Sequence, residues 1–408
     1  MKIIHTGDWH IGKIVNEISM LEDQRYILNK LIKLIEEEKP DALIITGDLY
    51  DRSVPPAVAV ELLDEYIDKI LIGLKTPILA IAGNHDSPER LSFASNILRD
   101  QGFYMEGIFK KEINKVVLKD NYGEVNFYLV PYVDPAVVRF MYEDNSIRTH
   151  DDAMKAIIGR IEEKMDKDSR NILITHGYIT FMSDESNSQA LNEVAIDCDN
   201  NLIRAGLNIS DSERPLSIGG TDLISGKHFE NFNYVALGHL HGAQKVGSDK
   251  IRYSGSLLKY SFSEERQKKS VTIVEIDQNG EVDVRLADLK PLRDMRVIAG
   301  TIDELTNKTY YEKSNKEDYV FANITDNGEV LEPMVKLRAI YPNIMGLRKV
   351  EQTDFEIGSN SLRDRHENRS KTELFKEFYE NIVLKKLTEE KKMIIEKVEE
   401  AINREETK

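Results

Sequence analysis

Cysteine is nearly absent: Cys198 stands alone in a chain of 408 residues. An internal disulfide is therefore excluded, and so is a cysteine cluster for zinc. Long apolar runs are missing as well. No stretch approaches the roughly 18 consecutive apolar residues of a membrane span. The opening Met1-Lys2-Ile3-Ile4-His5 passes straight into Thr6-Gly7-Asp8, with no apolar run of export-signal length. These absences lead to the expectation of a soluble, cytoplasmic protein with no membrane partner. Positive charge is in deficit, with 55 Lys and Arg against 71 Asp and Glu and a formal net charge of −16. That argues against non-specific adhesion to nucleic acid through a broad basic surface, because phosphate binding needs clustered Lys and Arg. Metal ions can still supply positive charge locally.

What is present suits a globular protein of two or three domains, with 41% hydrophobic and 31% charged residues. Over the first 290 or so residues, short β-type runs alternate with amphipathic helical stretches, which predicts a layered α/β domain. The candidate strands are Ile3–Thr6, Ala42–Thr46, Ile78–Ala82, Ile172–Thr175 and Tyr234–Leu237. Tyr26, Ile27, Leu31, Leu34 and Ile35 recur at helical spacing between the first two, and Leu62, Leu63, Tyr66, Ile67 and Ile70 between the next two. Val271–Ile276 and Val282–Leu286 flank Asn279-Gly280, a hairpin signal. The pattern restarts near Pro291. Val297–Thr301, Tyr319–Ile324 and Gly346–Val350, with helices near Ile302–Leu305 and Val330–Ala339, predict a small α+β capping domain over 291–352. A polar linker over 353–371 and a helical segment over 372–404 complete the expected order.

Each of the five strands runs directly into residues that can bind a cation. These are Gly7-Asp8-Trp9-His10, Gly47-Asp48-Leu49-Tyr50-Asp51-Arg52, Gly83-Asn84-His85-Asp86, His176-Gly177 and Gly238-His239-Leu240-His241. Five of the nine histidines lie in these segments. Open α/β sheets place their sites beyond the carboxyl ends of the strands, so five such loops converge naturally. Taken singly, each pattern also reads as a turn, a cap or a satisfied core histidine. Their joint occurrence, each after a β run, points to a dimetal site. Carboxylate, amide and imidazole donors without thiolate favour manganese, iron or another divalent ion over a sulfur-rich zinc site. Two cations roughly 3.5–4 Å apart need a bridging ligand, and Asp48 is the candidate. Trp9 is expected to pack or shield. His5, His150, His228 and His366 sit in no such context and receive no role.

With these motifs in hand, the chain resembles the calcineurin-type metallophosphoesterases, and its longer runs are similar to the bacterial SbcD family, the nuclease subunits of SbcCD complexes. Those runs are Gly7 to Lys13, Gly83 to Leu91, Ser212 to Gly220, Tyr234 to His241 and Tyr253 to Ser261. The resemblance implies a four-layer core over 1–290, two β-sheets flanked by helices. It implies that Asp8, His10, Asp48 and His241 hold one metal ion. Asp48, Asn84, His176 and His239 would hold the second, both ions being manganese. His85 would face the phosphate as acid or transition-state stabiliser; beside two cations it is hard to protonate unless a carboxylate such as Asp51 or Asp86 steadies it. The implied activity is 3′-to-5′ exonuclease on double-stranded DNA ends and endonuclease on hairpins. The implied partner is the SMC-like ATPase SbcC, in a heterotetramer built on a homodimer. The apolar stripe from Leu374 to Ile402, after its polar linker, reads as a segment over 372–404 docking the SbcC coiled coil, with helices folded onto the small domain as the alternative.

Three further features bear on substrate contacts. From Lys250 to Lys269 there are six basic and two acidic residues, read either as a phosphate-tracking edge or as a solvated loop. Arg52 and Arg90 are candidate backbone contacts, with capping or ion pairing as the alternative. Met182 to Ser210 is longer than the family pattern leads one to expect, and reads as a lid or an elaborated loop. Two rival functions are a phosphoprotein phosphatase and a non-catalytic scaffold for an ATPase. Gly-Asn-His-Asp and the appended domains count against the first, and the complete ligand set against the second.

Overall fold

The computed structural model describes residues 1–113, 115–181, 209–213, 216 and 223–350. The expected linker at 353–371, the helical segment at 372–404 and most of the stretch Met182–Ser210 lie outside these residues.

The five strands foreseen from sequence are β1 (Lys2–Thr6), β2 (Ala42–Ile45), β3 (Ile78–Ile81), β4 (Arg170–His176) and β5 (Tyr234–Gly238). They divide between two six-stranded sheets. In one, β1, β2, β3 and Phe103–Glu106 run parallel, and Ser270–Ile276 pairs antiparallel with the far side of β1. Val282–Asp288 closes that edge as a hairpin with Ser270–Ile276, Ile276 opposite Val282. In the other sheet, β4 and β5 are parallel neighbours at the centre. Gly123–Val130 and Lys115–Asp120 lie beside β4, with Ser248–Tyr253 and Gln244–Val246 beside β5.

Alternation along each strand sorts the side chains into layers. Ile3, Ile44, Leu79 and Ile81 meet Phe127, Ile172, Ile174 and Ala236 between the two sheets. Ile4, Leu43, Ile45 and Ile78 face outward onto α1 (Leu21–Glu38) and α2 (Ala57–Asp68), where Ile27, Leu31, Ile35, Leu62 and Tyr66 are buried. Leu173, Val235 and Leu237 face α3 (Pro135–Tyr142) and α4 (His150–Glu162) through Val138, Ile157, Ile158 and Ile161. The stack is helix, sheet, sheet, helix. Strands buried on both faces read as unbroken apolar runs, which is why β1 to β5 were visible in the sequence. Each fully buried Leu or Ile contributes about 1.5–3 kcal/mol, so the layers hold the strand ends rigidly.

Beyond residue 290 a smaller sheet forms from Met295–Gly300, Tyr319–Ile324 and Ile344–Lys349, all parallel. Its helices include Ile302–Leu305, which opens on a capping box between Thr301 and Glu304, and Pro333–Arg338. Ile298, Val320, Ile324, Leu337 and Tyr341 give it a core of its own. Among the described residues, no helix is long and apolar enough to cross a membrane.

Candidate active site

The carboxyl ends of β1 to β5 meet at the junction of the two sheets. Close approach there depends on glycine at two points. A Cβ at Gly238 would lie 2.0 Å from the Thr46 carbonyl oxygen, and one at Gly83 would lie 2.2 Å from Asp48 Oδ1. With no side chain in the way, the loops after β2, β3 and β5 interlock. Thr46 Oγ1 donates to the Leu237 carbonyl at 3.2 Å and joins the sheets. Four residues of the loops, Asp8, His10, Asp48 and His239, hold positive φ of 53°, 45°, 50° and 108°. Left-handed backbone in non-glycine residues costs energy and tends to cluster where function demands a fixed side-chain direction.

All eight residues expected at the site converge, and the seven candidate ligands fall into two groups. Asp8, His10 and His241 bring one donor atom each within 4.8 Å of the others, and Asp48, His176 and His239 do the same. Asp48 sits between the groups, its Oδ2 3.7 Å from His10 Nε2 and 3.6 Å from His176 Nε2. Its other oxygen accepts the His85 main-chain N–H at 2.8 Å. Asn84 Oδ1 lies 2.9 Å from His176 Nε2 and 3.0 Å from His239 Nδ1. Asp8 accepts the His239 main-chain N–H at 2.9 Å.

This arrangement is short of positive charge. His176 Nδ1 is 2.8 Å from the Thr46 carbonyl oxygen, so it carries the proton and Nε2 carries a lone pair. With the amide as oriented, that lone pair faces the Asn84 oxygen, acceptor against acceptor. His10 Nε2 and His241 Nε2 are 3.0 Å apart, while Ser212 Oγ at 2.7 Å from His241 Nδ1 occupies the other face of that ring. Burial holds His10 and His239 well below the ordinary histidine value, neighbouring imidazoles adding to it, and lowers His176 as well. Burial, with the Asp48 charge second, pushes the Asp8 carboxyl well above the carboxylate range. Neutral imidazoles and crowded carboxyls around a common centre fit divalent cations bound through oxygen and nitrogen.

His85 lies beside this cluster, its ring 4.6 Å from that of His10. Its Nδ1 is 2.8 Å from the Asp51 carbonyl oxygen, and an oxygen of the Asp51 carboxylate, the partner foreseen from sequence, lies within 4.8 Å of donor nitrogens of His85 and His10. The Asp86 carboxylate is instead a tie between loops, accepting the N–H groups of Gly83, Leu49 and Tyr50 at 3.0, 3.1 and 3.0 Å. Burial, then the Asp48 charge, raises Asp86 to about 7 against the pull of those three donors. Trp9 packs, as expected, buried with Nε1 donating to Thr6 Oγ1 at 3.0 Å. His5 is buried structure, between the Tyr234 hydroxyl and the Leu237 carbonyl.

Several supporting residues were given no role from sequence. Glu264 is buried, accepts from Ser212 Oγ at 2.6 Å and Lys269 Nζ at 2.5 Å, and lies 3.4 Å from His241 Nδ1. Glu213 accepts the His241 main-chain N–H at 2.6 Å. Gln24 holds the loop that bears His10. Three of the six basic residues between Lys250 and Lys269 are taken up by internal ion pairs, while Lys250, Arg266 and Lys268 are exposed. Lys269 is buried on Glu264, Lys259 pairs with Asp294 at 2.8 Å, and Arg252 pairs with Asp249. Arg52 is exposed at the rim, 3.7 Å from Asp51, and Arg90 is exposed on the loop after β3.

Fold and loops together define a calcineurin-like phosphoesterase, and the family model of that description matches residues 1–243, which contain all five loops. A second model, described as the type 5 capsule protein repressor C-terminal domain, matches residues 291–382. The SbcD subunit of the SbcCD nuclease of Staphylococcus epidermidis is 35% identical over 383 residues, covering 94% of this chain and 91% of that protein. Within the calcineurin-like class, the chain belongs to the SbcD family. Among solved structures, TT1561 of Thermus thermophilus aligns at 15% identity over 70% of this chain and 98% of that one; its TM-score of 0.36 is too low to bear on the fold.

Proposed function

We propose that this chain is the nuclease subunit of an SbcCD-type complex, hydrolysing phosphodiesters of DNA with two manganese ions. The observation that carries the reading is Asp48, a buried carboxylate whose one oxygen lies under 4 Å from imidazoles of both donor groups. Asp8, His10, Asp48 and His241 would hold one ion, and Asp48, Asn84, His176 and His239 the other. When bound, two divalent ions activate water and neutralise charge on the phosphoryl oxygens. The protein's own part is orientation. Thr46 fixes the His176 tautomer, Ser212 and Glu264 face the His241 ring, and Asp48 holds the His85 main chain. With Nδ1 of His85 donating to the Asp51 carbonyl, its Nε2 is the atom that handles the proton of the leaving oxygen.

The relative's name, a subunit of SbcCD, supports SbcC as the partner and DNA as substrate. The full reading is 3′-to-5′ exonuclease on duplex ends and endonuclease on hairpins, in recombination, replication and repair. The working unit would be a cytoplasmic homodimer joined to SbcC. Residues 291–352 would cap the site, and 372–404 would dock the ATPase coiled coil. Truncation after Ser370 then removes binding to SbcC in a pull-down and spares metal-dependent cleavage; an intact complex would refute the docking assignment. For the activity itself, His85→Asn is expected to keep both metal ions and lose cleavage. Hydrolysis of small phosphate esters without cleavage of any DNA would favour the phosphatase alternative.

A further inference from the structure

Two short segments connect the site to the small domain, and they share one design. In α1, Gln24 accepts the Gly12 N–H at 3.0 Å and donates to the His10 carbonyl at 2.8 Å. Its chain neighbour Asp23, also buried, accepts from Arg293 at 2.8 Å and from the Tyr319 hydroxyl at 2.6 Å. Arg293 reaches Glu22 as well, at 2.7 Å. In the turn Phe262–Glu264, Glu264 holds Ser212 and Lys269 beside His241. Its neighbour Glu265 accepts the Val297 N–H of the small sheet at 2.8 Å, and the Phe262 ring lies 5.4 Å from that of Phe321. Tyr260 ties the two segments, donating to the Trp9 carbonyl at 2.5 Å and accepting from Gln24 at 3.1 Å. Met295 and Tyr319 of the small domain share one apolar cluster with Trp9, Ile11 and Met20.

Among the described residues, the other donor group has no such link to the small domain. The hydrogen bonds of His176, Asn84 and His239 run to Thr46, Asp8 and one another, all within the two large sheets and their loops. We propose that Gln24 and Glu264 are positioning residues for His10 and His241, and that their grip requires the small domain to be seated through Asp23 and Glu265. Displacing the small domain loosens the His10–His241 half of the site and spares the His176–His239 half. The inference rests on the two-metal reading above. Losing an outer partner of a metal-binding histidine commonly weakens metal affinity about 10–100-fold.

The test titrates manganese into the full chain by calorimetry, comparing wild type with the double variant Arg293→Met, Glu265→Ala, which removes the Asp23 and Val297 contacts to the small domain. The expected result is two sites in the wild type, and in the variant one site weakened about tenfold or more while the other stays within about twofold. If the double variant melts early, Glu265→Ala alone, which takes the acceptor from the Val297 N–H, is read in the same way. In a His241→Ala chain the double change should leave the remaining site unaltered. Both sites unchanged, or both weakened alike, would overturn the coupling. A wild-type chain that binds no manganese would instead overturn the metal reading itself, which separates the two failures.

Discussion

Asp48→Asn separates the metal-bound protein from the metal-free one by moving them in opposite directions. The substituted amide keeps an oxygen for the His85 N–H, bonded at 2.8 Å, but removes the charge that lies 3.7 Å from His10 and 3.6 Å from His176. Because the two donor groups share that charge, both ions should lose their hold. At free manganese 100-fold above its dissociation constant, each site contributes about 2.7 kcal/mol of stability. Two sites give about 5 kcal/mol, or about 10 °C in unfolding midpoint for a domain of this size. The wild type should show that shift and the variant almost none. Without metal the sign reverses. The Asp48 charge is the second cause, after burial, raising both Asp8 and Asp86. Relief of one pKa unit on either carboxyl is worth about 1.4 kcal/mol. The metal-free variant should therefore melt at or above the wild type in scanning calorimetry with a chelator present. A full manganese shift in the variant, or a metal-free midpoint well below wild type, would refute the reasoning.

Two predictions concern residues away from the ions. Burial, opposed by the Leu237 carbonyl, holds His5 down to about 3, so between pH 3 and 6.5 the unfolded chain binds a proton that the folded chain does not. Stability from this group is complete above pH 6.5 and falls with pH at about 1.4 kcal/mol per unit; His5→Gln should make the metal-free stability profile shallower by that slope in urea unfolding, and an unchanged slope would sink the idea. Asp86→Ala strands the N–H groups of Gly83, Leu49 and Tyr50, each costing about 1–3 kcal/mol when buried without a partner. Relief of a buried carboxyl raised to about 7 offsets part of this, so a net loss of about 3 kcal/mol is expected by urea unfolding; a loss below about 1 kcal/mol would mean that the loops hold without it.

What could be read from sequence was whatever local order dictates. β1 to β5 are buried on both faces, so their apolar runs stand out and the ligands follow at fixed offsets. Tyr319–Ile324 was legible for the same reason, and the Ser270–Ile276 hairpin through its Asn-Gly turn. The supporting residues were hidden because their partners are distant in the chain. Glu264 and Lys269 looked like members of a basic run, yet they cancel each other in the interior beside His241. Gln24 is an ordinary helix residue until α1 packs it against the His10 loop, and Thr46 acts through its carbonyl, which every residue has. A lone acidic pair within an otherwise basic segment, next to the run Tyr253 to Ser261, was the one hint of Glu264. Composition reveals carboxylates such as Asp51, which does lie near His85, whereas only the folded loop reveals that the Asp51 main-chain oxygen also faces the ring.

The most direct test incubates the purified chain, alone and with its ATPase partner, with end-labelled duplex and hairpin DNA in manganese, His85→Asn alongside. The account predicts metal-dependent cleavage by the wild type, abolished by chelation and lost in the variant while calorimetry still finds two bound ions. Cleavage by the variant at the wild-type rate would contradict the role of His85. No cleavage of any duplex or hairpin by a wild type with both ions bound would contradict the nuclease.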